Sequence, residues 1–357
     1  MRAPSHFPLR EPVARGTLTA SAAMSAPRSA HTATPLPDGR VLVAGGFISE
    51  EAPALGAEVF DPRIGRFAAL PRMVTLRHSH SATMLPNGKV LIAGGYTAGT
   101  ITSAAAEVFD PGTNSFTPTG SLQTARAGHI ATLLRDGRVL IAGGVGAGWS
   151  FLASAELYDP ATGKFTRTGD MTVARESHVA VELSDGRVLI IGGHRDRREA
   201  ITLFASAETY DPVTGAFTRV GDMGVRRHKH DAVLLRDGRV LVTGGADERD
   251  NRGQYNSTEL FDPRTSAFSP GPAMQLPRYK HQGSSVVLPT GVVLIAGGAA
   301  RAETYDPASR TFEIVAGDAR LAGQFSAVAP LGNGGALITG GYGNGSGPTS
   351  SAWVYRP

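Results

Sequence analysis

The sequence predicts an all-β chain folded as a β-propeller of seven four-stranded blades. Three observations carry this. A Gly-Gly pair recurs seven times, at 45–46, 94–95, 143–144, 192–193, 244–245, 297–298 and 340–341, spaced 49, 49, 49, 52, 53 and 43 residues. Each pair closes a short apolar run that follows a turn signal such as Asp-Gly. Beyond each of the first six pairs comes a stretch ending in an aromatic residue and Asp-Pro, as in Ala207-Glu208-Thr209-Tyr210-Asp211-Pro212. A fixed period near 50 made of strand-like units marks radial repetition. At 357 residues the chain exceeds what one compact core usually organises, and a propeller divides the burial among many small sheet-on-sheet cores.

Taken in order, each repeat reads as four strands. The first follows a His, as in residues 129–134. A turn comes next, at Asp38-Gly39, Asn87-Gly88, Asp136-Gly137, Asp185-Gly186, Asp237-Gly238, Thr290-Gly291 or Asn333-Gly334. Asn-Gly and Asp-Gly tolerate positive φ, so two-residue type I′ hairpins are expected here. The second strand is a near-continuous apolar run such as Val139-Leu140-Ile141-Ala142, the pattern of a strand buried on both faces. Gly-Gly then lets backbones approach closely. A variable loop leads to the third strand, which stops at Asp-Pro because Pro has no amide to donate. The fourth strand carries an aromatic: Phe67, Phe116, Phe165, Phe217, Phe268 or Phe312.

Gly-Gly, the aromatic before Asp-Pro and the aromatic about six residues beyond it together resemble the Kelch repeat. The resemblance covers residues 17–357, with Phe standing where many members have Trp at the outer-strand position. It implies a Kelch-type β-propeller with one repeat per blade, and a binding scaffold as the commonest use. The last six residues read as a third strand with no fourth after it, whereas residues 17–20 read as a fourth strand without a blade. Leu18 sits six residues before Met24, where other repeats place Phe. The expectation is that residues 17–20 complete blade seven and close the ring, leaving no exposed edge. Residues 1–16 are then an N-terminal tail ahead of a single domain, 17–357.

Net charge is 35 − 31 = +4, spread along the chain, and most arginines fall at fixed repeat positions. Nucleic-acid binding needs clustered Lys and Arg and is not expected. The absence of cysteine removes disulfides, thiolate metal sites and Cys nucleophiles. Residues 1–16 lack a signal-peptide apolar run, and no stretch approaches the ~20 apolar residues of a membrane span. A cytoplasmic monomer is the default reading, with secretion after signal removal left open.

Arg28/His31, Arg77/His80, Arg126/His129, Arg175/His178 and Arg227/His230 recur in register, as do Glu58, Glu107, Glu156, Glu208, Glu259 and Glu303. Residues repeated in every blade usually hold blades together. Blade seven has Gly323, Ser326 and Trp353 at the Arg, His and Glu positions, so a single hydrogen-bonded Arg–Glu–His unit is expected elsewhere. In blade six either Arg278/His281 or Lys280/Gly283 fits the register.

Strand directions place the variable second-to-third loops and the fourth-to-first connections on one face. Residues just after Gly-Gly and just before the His should lie nearest the axis. One arc of this mouth reads as small and neutral: Ala30, Ser79, Gly128 and Ser177. The other carries Glu176, His194, His228, Lys229, Tyr279, Lys280, Gln324 and Phe325. With Phe47, Tyr96, Trp149 and Tyr342 these form the expected ligand-binding set, since polar groups converging among aromatics mark binding sites. Two lysines suggest a polar or anionic small molecule, a glycan or a peptide. The charged runs at 194–199 and 247–252 are also what solvated loops commonly carry.

No phosphate loop, His-Glu-x-x-His, EF-hand or Gly-x-Ser-x-Gly elbow is present, and no metal or cofactor is expected. Some Kelch-like propellers are enzymes; galactose-oxidase-like members use copper with a Tyr–Cys cross-link, which a chain without cysteine cannot form. The alternative function is a stand-alone isomerase, cyclase or lyase at the mouth over blades four to seven, with Glu176 and His194 as acid and base.

Overall fold

The computed structural model describes residues 16–49, 52–53, 56–197, 200–317, 320–321, 323–343 and 345–357. Of the expected tail, 1–15 lie outside this set, as do Arg198 and Glu199 of the charged loop in blade four. Seven four-stranded antiparallel sheets form the blades of a propeller. Blade four shows the plan: Val179–Glu182, Val188–Ile191, Ala207–Asp211 and Ala216–Arg219, paired in sequence order. In blade seven the order is Ala327–Pro330, Ala336–Thr339, Ala352–Arg356 and then Thr17–Ala20, with Leu18 opposite Tyr355.

The second strands explain the apolar runs. Every residue of Val188–Ile191 is fully buried, because each face meets a different neighbour. Val188 and Ile190 pack with Leu140, Ala142 and Leu157 of blade three, whereas Leu189 and Ile191 pack with Val240, Val242 and Phe261 of blade five. Period-2 alternation thus divides one strand between two cores. Burying each such side chain stabilises by about 1.5–3 kcal/mol. Outside them, Tyr210 and Phe217 pair across the third and fourth strands with ring centroids 4.8 Å apart, a contact repeated in blades one to six.

The hairpins differ from the type I′ expectation. Gly39 is left-handed at φ +85°, but Asp38 is not, and type I′ needs both. The Gly39 amide donates to Leu36 O while the Leu36 amide donates to Arg40 O. The turn is therefore type I with glycine as the following bulge residue, and it recurs at all seven sites. Asp38 is freed for another role: its carboxylate accepts from the Arg40 amide at 3.0 Å.

The repeated arginines form a buried layer. Arg175 Nη1 donates to Gly192 O (2.7 Å) and Ser206 O (3.0 Å), and Nη2 donates to Glu208 Oε1 (2.9 Å). Glu208 Oε2 in turn accepts the Thr172 amide at 2.7 Å, tying the fourth-to-first connection to the third strand. Arg28–Glu58, Arg77–Glu107, Arg126–Glu156, Arg227–Glu259 and Arg278–Glu303 repeat the pair at 2.7–3.1 Å. Blade six therefore takes the Arg278/His281 register.

The histidines are not part of that unit, contrary to expectation. Their rings reach the preceding blade instead: His129 Nε2 bonds Ser81 Oγ at 2.9 Å, and His281 Nε2 bonds Thr243 O at 3.0 Å. The Gly-Gly pair makes this packing possible. A Cβ on Gly192 would lie 2.7 Å from both Arg227 O and His230 Cε1 of the next blade. Blade seven loses Arg and Glu together because either alone would be an uncompensated buried charge.

Candidate functional site

The residue before each His position adopts the left-handed conformation. Ala30, Ser79, Gly128, Ser177, Lys229, Lys280 and Phe325 have φ between +49° and +61°. Six of them are not glycine, a state that costs roughly 1–2 kcal/mol each. Inter-blade hydrogen bonds hold it. The Ser79 amide donates to Ala30 O, Gly128 to Ser79 O, Lys229 to Ser177 O, Phe325 to Lys280 O and Ala30 to Phe325 O, at 2.7–3.1 Å. These residues form a backbone hoop linking blade to blade.

Just outside the hoop, in six of the blades the residue after the repeat-Arg position bridges to the residue after Gly-Gly. Ser29 meets Phe47, His78 meets Tyr96, Ala127 meets Val145, Glu176 meets His194, His228 meets Ala246, and Gln324 meets Tyr342. Their side chains and those of the loops form a closed circuit. Phe47 meets His78 edge-on and His78 meets Tyr96 at a tilt, both at 5.3 Å, and Tyr96 contacts Trp149 at 6.0 Å. Trp149 carries the Arg197 guanidinium 3.1 Å over its ring, and Arg197 lies 3.7 Å from Glu176. Glu176 lies 3.6 Å from His194 Nε2, and His194 Nδ1 lies 3.2 Å from His228 Nδ1. His228 Nε2 sits 3.1 Å from Asp250, and Lys229 donates to Asp250 at 2.7 Å. Lys229 and Lys280 both face the Tyr279 ring, and Lys280 donates to Tyr342 Oη at 2.7 Å. Tyr342 returns to Phe47 at 6.3 Å.

Burial sorts this set. Tyr96, Glu176, His194, His228, Tyr279 and Gln324 are buried, while Phe47, Trp149, Lys229, Lys280, Phe325 and Tyr342 are partly open. Burial pushes the Glu176 carboxyl up, against Arg197 and Lys229, which favour its charged form. Burial lowers His194 to about 3, with His228, Lys229 and Arg197 adding to the shift. Asp250 is pushed up by burial but held well below the usual carboxylate range by His228 and Lys229. Burial also lowers His78 to about 4. At neutral pH the mouth therefore holds neutral imidazoles between charged groups.

The expected binding residues thus meet around one mouth. The arc read as small and neutral is small only at the hoop; Phe47, His78, Tyr96 and Trp149 make it aromatic one layer out. His78, Phe151 (its ring 5.7 Å from that of His194), Arg197 and Asp250 were not among the expected site residues. His78 holds the same repeat position as Glu176 and His228, a signal that was available. Arg197 and Asp250 depend on loop paths that no periodicity encodes. Two concavities of about 300 and 290 Å³ lie elsewhere, between the hairpins of blades six and seven and on the outer strands of blades two and three. Neither includes a mouth residue; both are walled largely by framework strands. No group of three or more His, Cys, Asp or Glu side chains is arranged to hold a metal among the described residues.

The Kelch motif is matched at residues 129–172 and 177–224, in blades three and four. This chain is a Kelch-repeat β-propeller. The Kelch fold here is similar to that of a fungal alcohol oxidase of the AA5 family, solved in complex with copper. The TM-score is 0.74 at 15% identity, covering 96% of this chain and 76% of that one, a likeness of fold. No curated protein matches the Kelch chain in sequence. Among the described residues no helix is long and apolar enough to cross a membrane. The Kelch propeller fold supports a binding scaffold in general terms and leaves an enzyme open.

Proposed function

We propose that the loop-face mouth binds a polar ligand, a short peptide or glycan, whose apolar face lies on Phe47, Trp149, Phe325 and Tyr342. Its acidic or hydroxyl groups meet Lys229 and Lys280. The observation that carries this reading is the closed side-chain circuit: aromatic on one arc, charged on the other, and different in every blade. A framework would repeat these positions; the Kelch frame repeats its Arg and Glu instead. Aromatic faces and lysines set in one concave rim are how proteins grip ligands that are flat on one side and polar on the other.

The test is calorimetric titration of the purified chain with acidic oligosaccharides and acidic peptides. A ligand bound by the wild type should lose at least about tenfold in affinity with Lys280→Ala or Tyr342→Ala, roughly the 1.4 kcal/mol of one good contact. Unchanged binding in both variants would move the site away from the mouth.

A second reading, a small-molecule enzyme, is favoured by one observation. Glu176 and His194 lie 3.6 Å apart, one pushed toward its neutral acid and the other held as a neutral base. The AA5 neighbour is an enzyme by its description, but at 15% identity it lends this chain no residues. Turnover abolished by Glu176→Gln with ligand affinity retained would support this reading over simple binding.

A further inference from the structure

Glu176 and Tyr96 are buried polar groups of the mouth with room for a further partner. Glu176 is 9% exposed, yet no hydrogen bond reaches its carboxylate among the described residues; its nearest charged partners stand at 3.6 and 3.7 Å. Tyr96 is 7% exposed, and its hydroxyl is buried without a partner. Leaving the buried Tyr96 hydroxyl unmet costs about 1–3 kcal/mol. The two groups belong to one neighbourhood. The Glu176 charge acts on the Tyr96 hydroxyl, and Tyr96 leads by ring contact to Trp149. Glu176 lies in the notch left by Gly128, the one hoop position without a side chain; a Cβ there would come within 2.8 Å of its Oε1.

The group now in this place is a cation from the chain itself. The Arg197 guanidinium carbon lies 3.1 Å over the Trp149 ring, and the side chain reaches toward Glu176. A planar, weakly hydrated guanidinium suits an aromatic face better than a strongly hydrated ammonium does. Yet Arg197 underuses the site. Its side chain is 46% exposed, and its 3.7 Å contact with Glu176 is well beyond the 2.7–2.9 Å of a charge-assisted hydrogen bond. Tethered at blade four, it stacks but does not close the fork. An untethered guanidinium can stack on Trp149, donate two hydrogen bonds to Glu176 and offer another to Tyr96 Oη.

We propose that Trp149, Glu176 and Tyr96 form a guanidinium-binding site that Arg197 fills in the free protein, and that an arginine side chain of a peptide ligand displaces it. The inference rests on the reading of the mouth as a ligand site and names one group the ligand must carry. It gives Arg197 the role of an internal competitor, so external affinity is reduced by the fraction of molecules in which Arg197 is docked.

The probe is N-acetyl-arginine amide, with the lysine analogue as control, titrated by calorimetry and by tryptophan fluorescence. The chain has two tryptophans; Trp353 is buried in blade seven, so a ligand-dependent signal reports Trp149. Arg197→Ala should bind the arginine probe about tenfold or more tightly than the wild type, as removal of a competitor requires. Adding Glu176→Gln should return the affinity to the wild-type level or below, with an unchanged melting temperature showing that the fold is intact. Equal affinity of wild type and Arg197→Ala, no binding to Arg197→Ala, equal binding of the lysine probe, or indifference to Glu176→Gln would each overturn the proposal. Binding of acidic oligosaccharides at the mouth with no response to arginine would leave the general reading standing and remove this one alone.

Discussion

Arg175 and Glu176 are adjacent, both charged and both buried, yet they serve different rings. Arg175 belongs to the framework: it meets Glu208 and two carbonyls, and five other blades repeat it. Glu176 belongs to the mouth: its carboxylate has no hydrogen bond among the described residues and no acidic counterpart at its position in any other blade. Two residues further along, His178 turns outward again to pack on the preceding blade. A stretch of four residues thus alternates between holding the ring and facing its opening. Charge and burial do not separate the two roles. Satisfaction and repetition do.

The framework is most vulnerable at the ring's ends. Removing residues 1–24 takes away Thr17–Ala20 and strips the third strand of blade seven of its partner, exposing its edge and the Leu18 site. The melting temperature should fall sharply, while removal of 1–12 should leave it unchanged. Equal melting of both truncations would show that the framework does not need this strand.

Acid should act next, through the framework histidines. Burial lowers His31, His80, His178 and His230 well below 6.5, and His129 and His281 to about 3, so the folded chain holds them neutral. The unfolded chain takes up protons near pH 6.5 and the folded chain does not. Their stabilisation is therefore complete above that pH and lost as pH falls from 6.5 toward 3, by up to about 1.4 kcal/mol per unit for each. Denaturant midpoints from pH 7 to 4.5 read this directly; a flat profile would mean that the rings ionise without opening the blades.

A smaller effect separates two glycines. Gly192→Ala should cost more than Gly39→Ala. Both are left-handed, a strain of about 1–2 kcal/mol, but only Gly192 faces a neighbouring blade. Urea unfolding of the two variants compares them, and similar losses would argue against close packing at the Gly-Gly pairs.

The seven-fold frame was legible because it repeats: Gly-Gly, the hairpin glycine and the paired aromatics each recur where backbone geometry or packing demands them. The register of blade six was not, since Arg278/His281 and Lys280/Gly283 fit about equally well until Glu303 was seen against Arg278. The hoop was hidden for a different reason. Ala30, Ser177, Lys229 and Phe325 share no chemistry; inter-blade hydrogen bonds, not residue type, impose their left-handed backbone, and Gly128 alone hints at it. The hairpin type was misread because Asp-Gly fits two turns, and only Asp38's backbone distinguishes them. In the mouth, the positions came from topology and the residue types from reading them, but Arg197 over Trp149 and Asp250 beside Lys229 arise from loop paths specific to one blade each.

Neighbouring charged residues are thus divided between framework and mouth. Urea unfolding of Arg175→Ala beside Glu176→Gln tests this division most directly. Arg175→Ala strands the buried Glu208 carboxylate and should lose about 3–5 kcal/mol, whereas Glu176→Gln removes a charge held only by long contacts to Arg197 and His194 and should change stability by less than about 1 kcal/mol. Equal losses from both substitutions would contradict the account and return Glu176 to the framework.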